Sequence, residues 1–345
     1  MKAVIFHENG GLDVLRYEDV ETPEPGADEV LIRVHASTVN RGLDSRVREH
    51  GFGFPGFSLP HVGGSDSAGE VVAVGTEVTD VSEGDRVVVS AIINDQTCDF
   101  CRSGAGENYC RNFKVVGVNI WGGHAEYVRV PARLTIRLPD SVTFERAACL
   151  PVSYNPAWHG LVTLAGVNSD DTVLVMAAGS GVGVAATQIA KHFGARVIAT
   201  AGSDWKLESA KELGADEVAN YSDENWPDQV RELTGGQGVT LAFDNVGQPT
   251  WPHSLELLDR GGRMVCSGST GDPNIQINLI NLYRNMVQMY FHMQGSYADL
   301  EQLVKLVGED KFRPVIDSRY PLEEAAKAEE RLLDRAIFGK VVLVS

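Results

Sequence analysis

The sequence predicts an α/β protein, with a doubly wound parallel sheet in the middle of the chain and a mainly β, barrel-like unit before it. Two observations carry this. Residues 172–183, TVLVMAAGSGVG, form an apolar run that ends in small residues. Before about residue 150 the chain instead has short valine-rich runs separated by turn signals.

In that first stretch, strand-like runs fall at 2–6, 29–36, 68–74, 85–89 and 125–130, with PEPG, EGD and WGG between them. Short runs with frequent turn signals and little helical spacing read as a barrel. In the middle, Val173, Leu174, Val175 and Met176 are apolar at every position, as in a parallel strand covered on both faces. Ala178, Gly179, Ser180, Gly181 and Gly183 follow, and VGVAATQIAKHFG then has helical spacing up to Gly194. Ala178 and Ser180 stand where G-x-G-x-x-G has glycines, so the strand–turn–helix context carries the motif. A helix opening on such a turn points free N–H groups at an anion, here the pyrophosphate of a dinucleotide. A strand at 195–200, the helix DWKLESAKELG and strands at 239–243 and 263–266 extend the alternation. After Gly295 come the helix YADLEQLVKLVGE, the stretch RPVIDSRYPL, a helix from Glu323 and the strand GKVVLVS. That tail resumes the β style of the first unit and is expected to return to it. The expected domains are 1–154 completed by 296–345, and 155–295.

A length of 345 residues allows two domains, and 43% hydrophobic with 22% charged residues is an ordinary globular composition. A net charge of −17 disfavours nucleic acid and anionic membranes as partners and leaves a small-molecule substrate. No apolar run reaches membrane length and MKAVIFHENG lacks a signal-peptide pattern, so a cytoplasmic protein is expected. Three of the five cysteines, Cys98, Cys101 and Cys110, are bunched, which suggests metal rather than disulfides. A two-residue spacer lets one tight turn present two sulfurs to a tetrahedral ion. The apolar segment at 285–295, NMVQMYFHMQG, reads as an edge strand to be paired with its mate in a homodimer or covered by the C-terminal helices.

The segments PHVGGSDSAGEVVAVG, EGDRVVV, GGHAEYVRVP, AAGSGVG, AKELGAD, FDNVG and FGKVVLV run the length of the chain. Together they resemble the medium-chain dehydrogenase/reductase superfamily, and within it the zinc-binding quinone-oxidoreductase-like members, including archaeal acryloyl-CoA reductases. The resemblance implies a GroES-like barrel and a Rossmann domain closing over NAD(P)H. The structural zinc lobe of that superfamily is C-x2-C-x2-C-x7-C. Here Asp95 stands at the first position and the last gap is one residue longer. A carboxylate is an acceptable ligand, so Asp95, Cys98, Cys101 and Cys110 are expected to hold one structural zinc, the alternative being a loop of free thiols.

Zinc alcohol dehydrogenases carry a catalytic Cys near the position of Asn40, a His-Glu pair after Gly63-Gly64, and a Cys near Ser153. This chain has Asn40, Ser65-Asp66 and Ser153, none a good zinc ligand, and His61 lies outside the motif. Without a Lewis acid an alkoxide is not stabilised. The expected activity is hydride transfer from NADPH to an acceptor already polarised: a quinone, enone or enoyl thioester. A zinc alcohol dehydrogenase and an NADPH-binding structural protein with little turnover are the alternatives.

NAD-preferring members carry an acid near the end of the second strand, where this chain reads Thr200-Ala201-Gly202-Ser203-Asp204-Trp205-Lys206. Small residues leave room for a 2′-phosphate and Lys206 would pair with it, while Asp204 reads as a first-turn acid of the next helix. Tyr221 matches a tyrosine that packs near the adenosine phosphate in similar reductases. The resemblance carries cofactor contact to Asn40, Gly179, Ser180, Gly181, Val182, Gly183, Ser203, Lys206, Tyr221, Asn245, Val246, Gly268 and Lys340. Asn40 matches an asparagine near the nicotinamide, although Asn40-Arg41-Gly42-Leu43-Asp44 is one residue longer than the usual Asn-x-x-Asp. Arg41 reads as solvated rather than as the contact of an acidic substrate. Tyr154 is a candidate general acid or a packing group. Trp121, Tyr283 and Phe291 read more readily as core than as a substrate lining.

Overall fold

The computed structural model describes residues 1–51 and 56–345. The chain forms two compact units, Met1–Val152 with Ser296–Ser345, and Ser153–Gly295. Among the described residues no helix is long and apolar enough to cross a membrane.

In the first unit β1 (Lys2–Phe6) pairs antiparallel with β2 (Arg16–Asp19). The long β3 (Glu29–Thr38) follows, then β4 (His61–Val62), β5 (Asp66–Val74) and β6 (Arg86–Val89). A short hairpin of β7 (Ile92–Ile93) and β8 (Lys114–Val115) precedes β9 (Tyr127–Pro131) and β10 (Thr135–Arg137). Strands β10, β6, β5 and β3 are antiparallel neighbours, and β9 joins β3. Alternation explains the packing: Val30, Ile32 and Val34 of β3 meet Val71, Val87, Val89, Val128 and Val130 in one buried cluster.

The second unit is a six-stranded parallel sheet of β11 (Thr172–Val175), β12 (Arg196–Ala201), β13 (Glu217–Asn220), β14 (Val239–Phe243), β15 (Leu258–Cys266) and β16 (Gln288–Phe291). Its order is β13-β12-β11-β14-β15-β16, the doubly wound arrangement, with the order reversing between β11 and β14. Helices Gly181–His192 and Asp204–Glu212 lie where the sequence predicts them. Trp226–Leu233 and Trp251–Glu256, which carry no prediction, both begin Trp-Pro, with the proline in the first turn where its missing N–H costs nothing. Residues 285–295 do not form one strand: β16 spans only Gln288–Phe291, after the helix Leu279–Arg284.

The C-terminal segment belongs to the first unit. Helix Tyr297–Gly308 leads to β17 (Ile316–Pro321), then helix Ala325–Leu333 and β18 (Lys340–Val344). Strand β18 pairs antiparallel with β3 and parallel with β17, continuing the main sheet. A buried ion pair fastens this segment. Arg48, 2% exposed, donates from Nε and Nη2 to Glu329 at 3.1 and 2.6 Å, and from Nη1 to the Gly10 carbonyl. Removing one partner leaves a buried charge uncompensated, which costs about 3–5 kcal/mol. Glu329→Gln is therefore expected to lose about 3 kcal/mol or more in chemical unfolding. A loss under about 0.5 kcal/mol, the range of ordinary surface changes, would show that the pair does not hold the segment.

Candidate functional site

After β11 the chain turns through Ala177, a non-glycine residue at φ 53°, into helix Gly181–His192. Ser180 is the cap of that helix: its hydroxyl accepts from the Gly183 N–H at 3.0 Å. A serine thus does useful work where the dinucleotide motif has a glycine. At Gly183 an added Cβ would lie 2.3 Å from the Ala177 carbonyl oxygen, so only glycine lets the helix pack this close to the turn. Gly179, Ser180, Gly181, Val182 and Gly183 form one turn at the carboxyl edge of the sheet, beside the point where strand order reverses.

The same edge gathers the other expected positions. At the end of β12 a Cβ on Gly202 would lie 2.9 Å from the Tyr221 ring. Ser203 caps helix Asp204–Glu212 with its backbone only, its side chain making no capping bond. Lys206 Nζ stands 5.4 Å from the centroid of the exposed Trp205 ring. Asp204 is in the first helical turn, as expected, and accepts from Asn220 at 3.3 Å. At the ends of β14 and β15, Asn245 donates to Ser267 Oγ at 3.1 Å and accepts from the Ser267 N–H at 2.7 Å. The N–H of Val246 reaches Asp244 at 2.8 Å. Asp244, unassigned from sequence, is fully buried and also accepts from Thr250 at 3.0 Å and Ser254 at 2.8 Å. Burial pushes its carboxyl up, against these donors. A Cβ on Gly268 would meet no atom within 4 Å. Tyr154 lies in this unit, 1% exposed.

Asn40 and Lys340 belong to the first unit. Strands β5, β3 and β18 are neighbours, and Thr38 pairs with Asp66 on one side and Val342 on the other. That register brings the end of β3 and the starts of β5 and β18 together. Asp66, fully buried, accepts through Oδ2 from Thr38 at 2.5 Å, Asn40 Nδ2 at 2.9 Å and Lys340 Nζ at 3.2 Å. Its Oδ1 accepts from the Val152 N–H at 2.9 Å. Lys340 Nζ also donates to Asn40 Oδ1 at 2.5 Å. Asp44 accepts from the N–H groups of Asn40 at 2.7 Å, Gly64 at 3.1 Å and Ser65 at 3.3 Å, and burial pushes its carboxyl up. The one-residue-longer loop therefore still returns an aspartate to Asn40.

Asp66→Asn leaves the Lys340 ammonium without its carboxylate and is expected to cost about 3–5 kcal/mol of stability. Lys340→Met alone should cost a similar amount. The double variant should lose at least about 1 kcal/mol less than the two single losses added, as coupled neighbours do. Strict additivity would mean that the two groups do not interact.

Asp95, Cys98, Cys101 and Cys110 converge next to the β7–β8 hairpin, with ligand atoms all within 4.8 Å of one another. Two thiolates bound at 2.3 Å to a tetrahedral ion lie about 3.8 Å apart. Cys98 and Cys101 sulfurs are 3.5 Å apart, and Asp95 Oδ1 is 3.4 Å from Cys101 Sγ. Cys98 also caps helix Asp99–Ser103. The N–H of Cys98, the Asn112 side chain and the N–H of Thr97 hold the Asp95 carboxyl well below the usual range. Removal from water pushes the Cys101 thiol up to about 12, with the hydrogen bonds of Cys98, Cys110 and Asp95 adding to it. Asn112 carries no sequence expectation, its only signal being its place two residues after Cys110; it donates to Asp95 Oδ2 at 2.7 Å. Among the described residues no second group of three such side chains has ligand spacing. His61 instead packs on Phe6 and Phe57 and reaches the Gly117 carbonyl at 3.0 Å. The core reading fails for Tyr283 and Phe291, each 64% exposed.

Residues 26–140 match the family of the alcohol dehydrogenase GroES-like domain, and residues 181–309 match the zinc-binding dehydrogenases. The chain is 30% identical to a human quinone oxidoreductase, covering 100% of this chain and 98% of that one. It is 32% identical to an acryloyl-coenzyme A reductase of Metallosphaera sedula, covering 100% of both. A solved NAD-dependent alcohol dehydrogenase superposes with a TM-score of 0.95 at 40% identity, again over 100% of both chains. With a GroES-like region, a parallel sheet in this strand order and full-length similarity to these oxidoreductases, the chain belongs to the medium-chain dehydrogenase/reductase superfamily.

Proposed function

We propose that this oxidoreductase is an NADPH-dependent reductase of activated double bonds or quinones that works without a catalytic metal. One observation carries the reading. Where zinc alcohol dehydrogenases place catalytic ligands, Asn40 and Asp66 are tied to Lys340, Thr38 and the Val152 N–H in a closed network. A carboxylate already neutralised by a buried ammonium and filled with donors makes a poor zinc ligand, and among the described residues no thiolate or imidazole is hydrogen-bonded to it.

NADPH, when bound, supplies the hydride. The chain supplies position and field. The first turn of helix Gly181–His192 offers its N–H groups and positive end to the pyrophosphate. Gly202 leaves space and Lys206 supplies charge for the 2′-phosphate. Lys340 and Asp66 lock both ends of the Asn40 amide, whose second Nδ2 hydrogen is the donor assigned to the acceptor's developing oxyanion. Tyr154 is assigned the final proton. The cysteine lobe holds one structural zinc: four protein ligands close the sphere and leave no place for water. A homodimer forms through β16, an edge strand whose neighbourhood exposes Leu279, Tyr283, Met286 and Phe291. An apolar edge of this kind is stable when paired with its symmetry mate.

A zinc alcohol dehydrogenase is the second reading, favoured by the 40% identity to the solved NAD-dependent alcohol dehydrogenase. Metal analysis and a panel of quinones, enones and enoyl thioesters with NADPH separate the two. The proposed enzyme carries one zinc per subunit and consumes NADPH with the panel. Two zincs with alcohol oxidation would establish the second reading, and no turnover with either substrate set would leave a cofactor-binding structural protein. Cys101→Ser is expected to lower zinc content and melting temperature together, since a structural ligand contributes folding energy. Lys206→Glu should raise the Kd for NADPH about 10- to 100-fold more than that for NADH, the loss of one charge-assisted phosphate contact. Equal losses would remove the NADPH assignment.

A further inference from the structure

Helix Asp204–Glu212 turns Leu207 and Ala210 into the core. The two residues before Leu207 reverse the usual order of exposure: Trp205 is 48% exposed, while Lys206 is half-buried. Consecutive helical residues point about 100° apart and do not face each other. The Lys206 Nζ nevertheless lies over the Trp205 ring, 5.4 Å from its centroid. The lysine chain therefore folds back across its neighbour, within the range of a cation–π contact.

The end of β12 fixes the surroundings of this pair. The Tyr221 N–H donates to the Ala201 carbonyl at 3.1 Å, and Ser222 Oγ donates to the Gly202 carbonyl at 3.2 Å. Tyr221, itself 36% exposed, lays its ring beside Gly202, so a second aromatic borders the same stretch. Asp204, the one acid in 202–206, accepts from Asn220 at 3.3 Å across the strand ends. A long lysine chain loses rotamer freedom when it binds a phosphate, and holding it beforehand lowers that cost. A carboxylate would also hold it but would neutralise the ammonium. An indole face holds the cation and leaves its charge in place.

We propose that Trp205 is a positioning residue for cofactor choice: its indole face holds the Lys206 ammonium ready for the 2′-phosphate of NADPH. The preference for NADPH over NADH then resides in the Trp205–Lys206 pair rather than in the lysine charge alone. This rests on the NADPH reading above. Trp205 has no part in hydride transfer, so its effect falls on cofactor binding and not on the chemical step.

The test measures Kd for NADPH and for NADH by calorimetry on the full chain. It reads the ratio of the two constants, since the cofactors differ only in the 2′-phosphate. The variants are Trp205→Leu, Trp205→Phe, Lys206→Met, and Trp205→Leu combined with Lys206→Met. In Trp205→Leu the preference for NADPH should fall about 2- to 5-fold, the worth of an exposed cation–π contact. Trp205→Phe, which keeps a π face, should recover part of that loss. With Lys206→Met already present, Trp205→Leu should leave the ratio unchanged, because the ring acts through the lysine. Equal rises in both constants, the mark of a merely structural ring, would overturn the proposal. So would a phenylalanine no better than leucine, or the same fall in the ratio with and without the lysine. Wild type that binds NADPH and NADH equally would instead refute the NADPH reading itself, and the role of the ring with it.

Discussion

The register between β3 and β5 is the constraint on which the first unit depends. Pairing Thr38 with Asp66 puts a carboxylate at the start of β5 against the end of β3, fully out of water. A carboxylate there is tolerable only with a cation and donors, and β18 supplies Lys340 from the other side of β3. Shifting either pairing by one residue would turn these side chains to the opposite face and strand the charges. The register therefore fixes the Asn40 amide as firmly as it fixes the strands.

The second unit solves a different problem with the same economy. Its central strands β11, β12 and β14 are mostly apolar and buried, as in a parallel sheet covered on both faces, so polar groups gather at the strand ends. There Ser180, Asp244 and Asn245 use side chains to satisfy loop N–H groups and hydroxyls that would otherwise be unpaired. Gly183 and Gly202 are needed where backbone or ring approaches too closely for a Cβ. The result is a rigid edge with free helix-terminal donors beside the strand-order reversal, which is what an extended anionic cofactor requires.

Charge is distributed against its own average. A net −17 is carried largely by exposed acids, many of them paired with surface arginines. The internal cations differ: Arg48 and Lys340 are buried, each against a single buried carboxylate, Glu329 and Asp66, and Arg41 is half-buried. The acidic surface repels other anions in solution, so selective recognition of an anionic group depends on local cations.

The sequence by itself determined the two-unit plan, because hydrophobic period is a local property. The buried run at Val173, Leu174 and Val175, the glycine-rich turn and the helical spacing after it are readable within a dozen residues. Asp95, Cys98, Cys101 and Cys110 converge as their spacing requires, since a short loop can meet only itself. Half-polar strands were illegible: β13 reads Glu-Val-Ala-Asn and β17 carries Asp, Ser and Arg, and each is a strand only because a neighbour offers its edge. What only the tertiary structure decided is the meeting of residues far apart in the chain. Lys340 and Asn40 are separated by 300 positions, and Arg48 and Glu329 by 281. Nothing in the local pattern says that these charges find each other, because burial of a charge is settled by strand register and helix packing, which no window of sequence contains.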